Sequence, residues 1–166
     1  MLHRIYLPRT SFAVAAIMTG LVNLTLSLVP LLLVILIIGL PITGAILFLP
    51  VPMFLLAAFS LGVGLLLSTI AVYFPDVAEM YQILLTGWMY LTPIFYPETI
   101  LPEEYAWLLT RLNPVYHLIR IFRAILYEGR LPYFNEVWPA VIFSLVSLVM
   151  GWIIFSKKSD EFSYRI

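Results

Sequence analysis

The chain has 166 residues, of which 63% are hydrophobic and 11% charged, with a mean hydropathy of +1.03. A water-soluble domain of this size has too much surface to cover with so few charges, so a soluble enzyme, a nucleic-acid binder and a disordered chain are excluded. Nine Lys and Arg balance nine Asp and Glu, and there is no Cys, which leaves no basic field for nucleic acid and no disulfide or thiolate chemistry.

Residues 10–75 carry no charge. At about 1.5 Å per residue, such a run exceeds one hydrocarbon core of about 30 Å and must cross more than once. Gly39-Leu40-Pro41 and Pro50-Val51-Pro52 mark the break. The pattern predicts one span over 12–38 and a second over 53–73. Pro30 should bend the first. Asn23, Thr25 and Ser27 are expected to hydrogen-bond between helices. Ser60, Gly64 and Ser68 recur every four residues, a stripe suited to close helix packing.

Asp76 and Glu79 suit the first turn of a third helix, where negative charge meets the positive dipole end. An uncharged third span is expected over 80–97. Pro93 and Pro97 lie near its end, which is either an interfacial helix end or backbone broken against a cavity. Tyr81, Trp88, Tyr90, Phe95 and Tyr96 supply rings, suited to a lipid-facing belt or to stacking on sugars inside a conduit.

Residues 98–136 hold charges too closely spaced for a span. Leu101-Pro102-Glu103-Glu104 predicts a short helix ending near Arg111. Asn113-Pro114 starts a second, with Asn as N-cap and Pro at N1. At 100° per residue, Val115, Leu118, Ile119, Phe122 and Leu126 share one face, while Tyr116, Arg120, Arg123 and Tyr127 share the opposite one. The pattern fits an interfacial helix lying flat, or a two-helix gate with a basic, tyrosine-bearing stripe facing cargo. The last span is expected over 137–156, anchored by Trp138 and Trp152 and stopped by Lys157 and Lys158. The basic residues favour cytoplasmic termini, with the 74–79 loop on the same side and 98–136 outside. The fold class is thus all-α: a polytopic membrane protein with about four transmembrane helices and an extracytoplasmic amphipathic two-helix hairpin, as one transmembrane domain over 1–166.

His3 and His117 have no third ligand at a metal-binding spacing, so no metal site is assigned. No Walker-type phosphate loop is present. No span carries an internal charge, which argues against a proton- or sodium-coupled carrier.

Tyr73-Phe74-Pro75-Asp76-Val77, Trp88, Thr92-Pro93-Ile94-Phe95-Tyr96-Pro97, Leu101-Pro102, Leu112-Asn113-Pro114 and Ile119 through Arg123 occur in this order. The set resembles the permease subunit of ABC-2-type exporters, in the polysaccharide branch that moves O-antigen and teichoic acid chains. Tyr6-Leu7-Pro8-Arg9 resembles the family's lead into its third membrane helix. The resemblance implies a homodimeric permease in the inner membrane of a prokaryote, surrounded by membrane lipids and driven by a separate ABC ATP-binding subunit. Its cargo would be a glycan or lipid-linked glycan, with no nucleic acid involved. No cofactor is expected on this chain and no covalent catalysis; ATP is used by the partner. Such permeases carry a longer N-terminal part, so these spans correspond to the last four of six, and the chain reads as a fragment or split subunit.

By the same resemblance, Phe74, Asp76 and Glu79 fall at an ATPase-coupling turn, although Pro75 stands where the family often has Arg. Tyr116, Arg120, Arg123 and Tyr127 fall at an outer gate, and Trp88, Tyr90, Phe95 and Tyr96 at pathway aromatics. Charge reversal at Arg120 and Arg123 together is expected to impair export while leaving assembly intact. The alternatives are an ABC-2 exporter of drugs or small lipids, a membrane-embedded polyprenyl-lipid transferase using the Glu98–Glu104 group, and a non-transporting assembly factor.

Overall fold

The computed structural model describes residues 10–74, 76–94, 96, 107 and 110–158. Among these, every regular element is helical. The first, α1, spans Thr10–Ile38 and continues through Pro30. It ends where Gly39 takes a φ of 79°, with the Gly39 and Leu40 amides donating back to Leu36 and Ile35. Glycine tolerates this left-handed turn, and the following Pro41 cannot extend a helix. A short 3-10 turn, Gly44–Phe48, leads into α2, Pro50–Tyr73. This helix begins ahead of the expected 53 because Pro50 and Pro52 sit in its first turn, where a missing N–H costs nothing. Phe74 is extended, as the residue before a proline prefers.

Next comes α3, Val77–Leu91. It stops short of the expected 97 because Thr92, ahead of Pro93, is extended. Its fifteen residues reach about 22 Å, less than a hydrocarbon core. By length and apolarity, three segments suffice to cross a membrane among the described residues: Ala13–Ile38, Gly44–Tyr73 and Phe134–Lys158. The expected first helix of the hairpin lies mostly outside the described residues, of which 110–112 are helical. Its second helix is α4, Pro114–Leu126, and the chain finishes in α5, Phe134–Lys158.

Helices α2 and α5 form the centre. They run antiparallel: Lys158 Nζ lies 5.6 Å from the Tyr73 ring at one end, while Thr43, ahead of α2, donates a 2.6 Å hydrogen bond to the carbonyl of Gly129, ahead of α5. Their backbones meet at Gly62 and Gly151. A Cβ on Gly62 would overlap the Ser147 carbonyl, and one on Gly151 would overlap the Gly62 carbonyl. Ser147 Oγ adds a 3.2 Å hydrogen bond to the Phe59 carbonyl. The small residue used for close approach is therefore Gly62, not the expected stripe; Gly64 faces open space and Ser68 is exposed.

Two apolar clusters flank this crossing. Ala45, Leu49, Leu118, Ile121, Ile125 and Ala140 fill the end beside α4, and Leu65 with Phe155 fill the other. Most of α1 is exposed, with Ile35 its buried hydrophobe. Thr19, Thr25 and Ser27 donate to carbonyls four residues back in α1 rather than to another helix, which corrects the expected interhelical bonds for Thr25 and Ser27.

Candidate functional site

The chemistry-bearing residues gather at the two ends of the bundle. At the end shared by Tyr73 and Lys158, the turn into α3 presents Phe74, Asp76 and Glu79, all exposed. Glu79 lies in the first turn of α3, and Asp76 occupies the N-cap position with no side-chain cap bond.

The opposite end is built around α4. Asn113 caps this helix, its Oδ1 accepting from the Val115 and Tyr116 amides at 3.0 and 3.3 Å, as the Asn-Pro pair predicts. The same oxygen accepts from Trp88 Nε1 at 2.9 Å, and Nδ2 donates to Thr92 Oγ1 at 2.8 Å. Thr92 in turn donates to the Trp88 carbonyl at 2.9 Å. The cap of α4 and the broken end of α3 are therefore one polar joint, with Thr92, Pro93 and Asn113 all buried. Arg123 closes it from higher up α4, donating to the carbonyls of Pro93 at 2.5 Å and Ile94 at 3.2 Å. Both carbonyls lie beyond Leu91, the last residue of α3.

A second polar group joins α4 to α5. Glu136 accepts from both ends of the Arg130 guanidinium at 2.8 Å and from Arg120 Nε at 3.2 Å. Glu128 pairs with Arg130 at 2.6 Å and with Arg120 at 3.8 Å. The Tyr133 amide also donates to Glu136, and the Tyr133 ring lies 4.4 Å beneath the Arg130 guanidinium. The bidentate hydrogen bond to Glu136 holds the Arg130 guanidinium well above its usual pKa. His117 stacks on Phe143 of α5 at 5.7 Å between ring centroids, with Tyr116 edge-on to it. Burial lowers the His117 pKa, opposed by a hydrogen bond to the Arg111 carbonyl.

Phe143 lies about 14 Å along α5 from Phe134. A stack on it means that α4 stands beside the first half of α5 rather than lying flat across the bundle end. The buried face of α4 is Leu118, Ile121, Ala124 and Ile125, rotated from the expected Val115–Leu126 face. Ile119, Phe122, Leu126, Arg123 and Tyr127 instead border a groove of about 320 Å³ against the end of α1.

The four expected gate residues thus part company. Arg120 turns to the Glu128–Glu136 group, Arg123 to the end of α3, Tyr116 to His117, and Tyr127 is exposed. Of the expected pathway aromatics, Trp88 spends its N–H on Asn113, Tyr90 is exposed and Tyr96 donates to the Tyr90 carbonyl at 2.9 Å. Phe95 lies outside the described residues, as do Pro75 and the Glu98–Glu104 group of the transferase alternative. Sequence reasoning missed the bridging role of Asn113 and the partners Glu128, Arg130 and Glu136. Alternating charge around Gly129 was the available signal for the latter.

Residues 1–127 match the family described as ABC-2 type transporter. The chain belongs to this family. Among curated relatives of this ABC-2 type protein, the O-antigen export system permease protein RfbA of Myxococcus xanthus is 33% identical over 171 residues, which cover 100% of this chain and 64% of the relative. RfbA of Klebsiella pneumoniae is 29% identical over 63% of the chain and 40% of its own length. The polysialic acid transport protein KpsM of Escherichia coli is 26% identical over 64% of the chain and 41% of its own length. The ABC-2 chain therefore spans about two thirds or less of the relatives it matches.

Proposed function

We propose that this chain is the membrane-spanning part of an ATP-driven exporter that moves a polysaccharide or lipid-linked glycan across the inner membrane of a prokaryote. The observation that carries this reading is the two-ended layout. The exposed residues Phe74, Asp76 and Glu79 lie at one end of α3, and the other end of α3 is tied to α4 at the far side of the bundle. Membership of the ABC-2 family and the glycan-export names of the relatives support the cargo class.

In this reading Phe74, Asp76 and Glu79 contact an ATP-binding subunit on the cytoplasmic side, where the termini also lie. Nucleotide is hydrolysed there, and the permease, as a homodimer embedded in lipid, shifts between closed and open populations without covalent chemistry or a cofactor of its own. Tyr116, Arg120, Arg123 and Tyr127 belong to the outer gate, with the arginines holding it together. Trp88, Tyr90, Phe95 and Tyr96 belong to the pathway end, with residues 80–97 as the remaining crossing.

Inside-out vesicles containing the full permease and its ATP-binding subunit provide the test. Lipid-linked glycan is expected to become protected from external glycosidase only when ATP and both subunits are present. Protection without nucleotide, or transport of small amphiphiles with no glycan protected, overturns the proposal.

A further inference from the structure

No residue of α3 is buried along its length, yet the joint at its end is: Thr92, Pro93 and Asn113 are all buried. Side-chain hydrogen bonds from α3 to α4 gather where α3 breaks. Asn113 bonds to both elements at once, accepting from Trp88, donating to Thr92 and capping α4 with the same amide, while Arg123 reaches the carbonyls just beyond. We propose that Asn113 is a positioning residue for transport, pinning the end of α3 to α4 so that displacement of the Phe74–Glu79 turn reaches the outer gate. This rests on the exporter reading above.

The geometry gives the pin two separable jobs. Capping needs one short acceptor, which Ser, Thr or Asp also supplies. Bridging needs an acceptor for Trp88 and a donor for Thr92 on two separate atoms, which the carboxamide supplies as Oδ1 and Nδ2, whereas a carboxylate only accepts and a serine hydroxyl is a single, shorter-reaching atom. The Thr92 hydroxyl, meanwhile, has no part in capping α4. Thr92 is therefore the position at which the bridge can be weakened with the cap untouched.

The test uses the complete exporter in vesicles and reads glycan moved per ATP hydrolysed, alongside thermal stability. Asn113→Ser keeps a cap and loses the bridge. Thr92→Val keeps shape and loses the hydroxyl. Both are expected to lower glycan per ATP by about tenfold, the order set by one lost buried hydrogen bond, while ATP turnover continues. Thr92→Ser, which keeps the hydroxyl, is expected to restore coupling. Wild-type coupling in Asn113→Ser and Thr92→Val overturns the proposal and reduces Asn113 to a cap. Where Asn113→Ser fails to assemble, Thr92→Val alone decides, and its wild-type coupling overturns the proposal. An unmutated exporter that moves no glycan with ATP contradicts the exporter reading instead.

Discussion

Gly62→Ala is expected to disrupt the bundle while Gly64→Ala leaves it intact. The two glycines are two residues apart on the same helix, so a propensity effect is common to both and favours alanine by about 0.5–1 kcal/mol. Space separates them. A methyl on Gly62 overlaps the carbonyl of Ser147, and that neighbour is backbone of α5, which cannot rotate away. A methyl on Gly64 meets nothing within 4 Å. The α2–α5 pair must separate to admit the first, which also strains the Ser147 bond to Phe59 and the contact with Gly151. The expected cost is about 2–3 kcal/mol, the upper part of the range for overpacking. Thermal unfolding of the detergent-solubilised protein, followed by size exclusion, checks it: Gly62→Ala should lower the midpoint by roughly 5–10 °C. Equal midpoints for the two variants would mean that the helices do not cross at Gly62.

Loss of the Glu136 carboxylate is the second large effect. This one group receives Arg130 at both oxygens, Arg120, and the Tyr133 amide. Its side chain is 11% exposed, against 31% for Glu128. Glu136→Gln leaves two guanidiniums near each other with one carboxylate between them, and a glutamine amide cannot accept at both ends. Breaking a buried pair costs about 3–5 kcal/mol, and partial exposure of the arginines reduces this to about 2–3 kcal/mol. Glu128→Gln should cost less than about 1 kcal/mol, as more exposed pairs do. Thermal midpoints of the two variants measure the difference, and an equal or reversed order would refute it. The same geometry revises the expected outcome of reversing Arg120 and Arg123 together. A carboxylate at 120 would face Glu128 and Glu136, and one at 123 would face the carbonyls of Pro93 and Ile94. Assembly should suffer as well as export.

Local signals in the sequence carried the element ends. Asn113-Pro114 starts α4 with the side-chain cap it predicts, because capping depends on neighbours in the chain alone. Gly39-Leu40-Pro41 stops α1 for the same reason. The end of α3 was misplaced because two prolines compete to break it, and the first one wins. What needed a partner helix was not legible. The apolar arc of α4 spans nearly half its circumference, and in a membrane protein both lipid and core accept apolar side chains. Ile121 and Ile125 could not be told from Val115 and Ile119 before α5 was in place. Likewise Gly62 stands out among small residues only once Gly151 and Ser147 lie against it. The partners of the arginine stripe were not legible either: Arg120 pairs with Glu128 and Glu136 around the Gly129 turn, whereas Arg123 turns to the carbonyls of Pro93 and Ile94.

The account depends on the Phe74–Glu79 turn and the Gly129 turn facing opposite sides of the membrane. These 166 residues contain no cysteine, so single thiols can be introduced among them cleanly. Asp76 and Leu131 are both exposed, one in each turn. With a membrane-impermeant maleimide, Leu131→Cys should label in intact cells and Asp76→Cys only in inverted vesicles. Labelling of both from the same face would contradict the account.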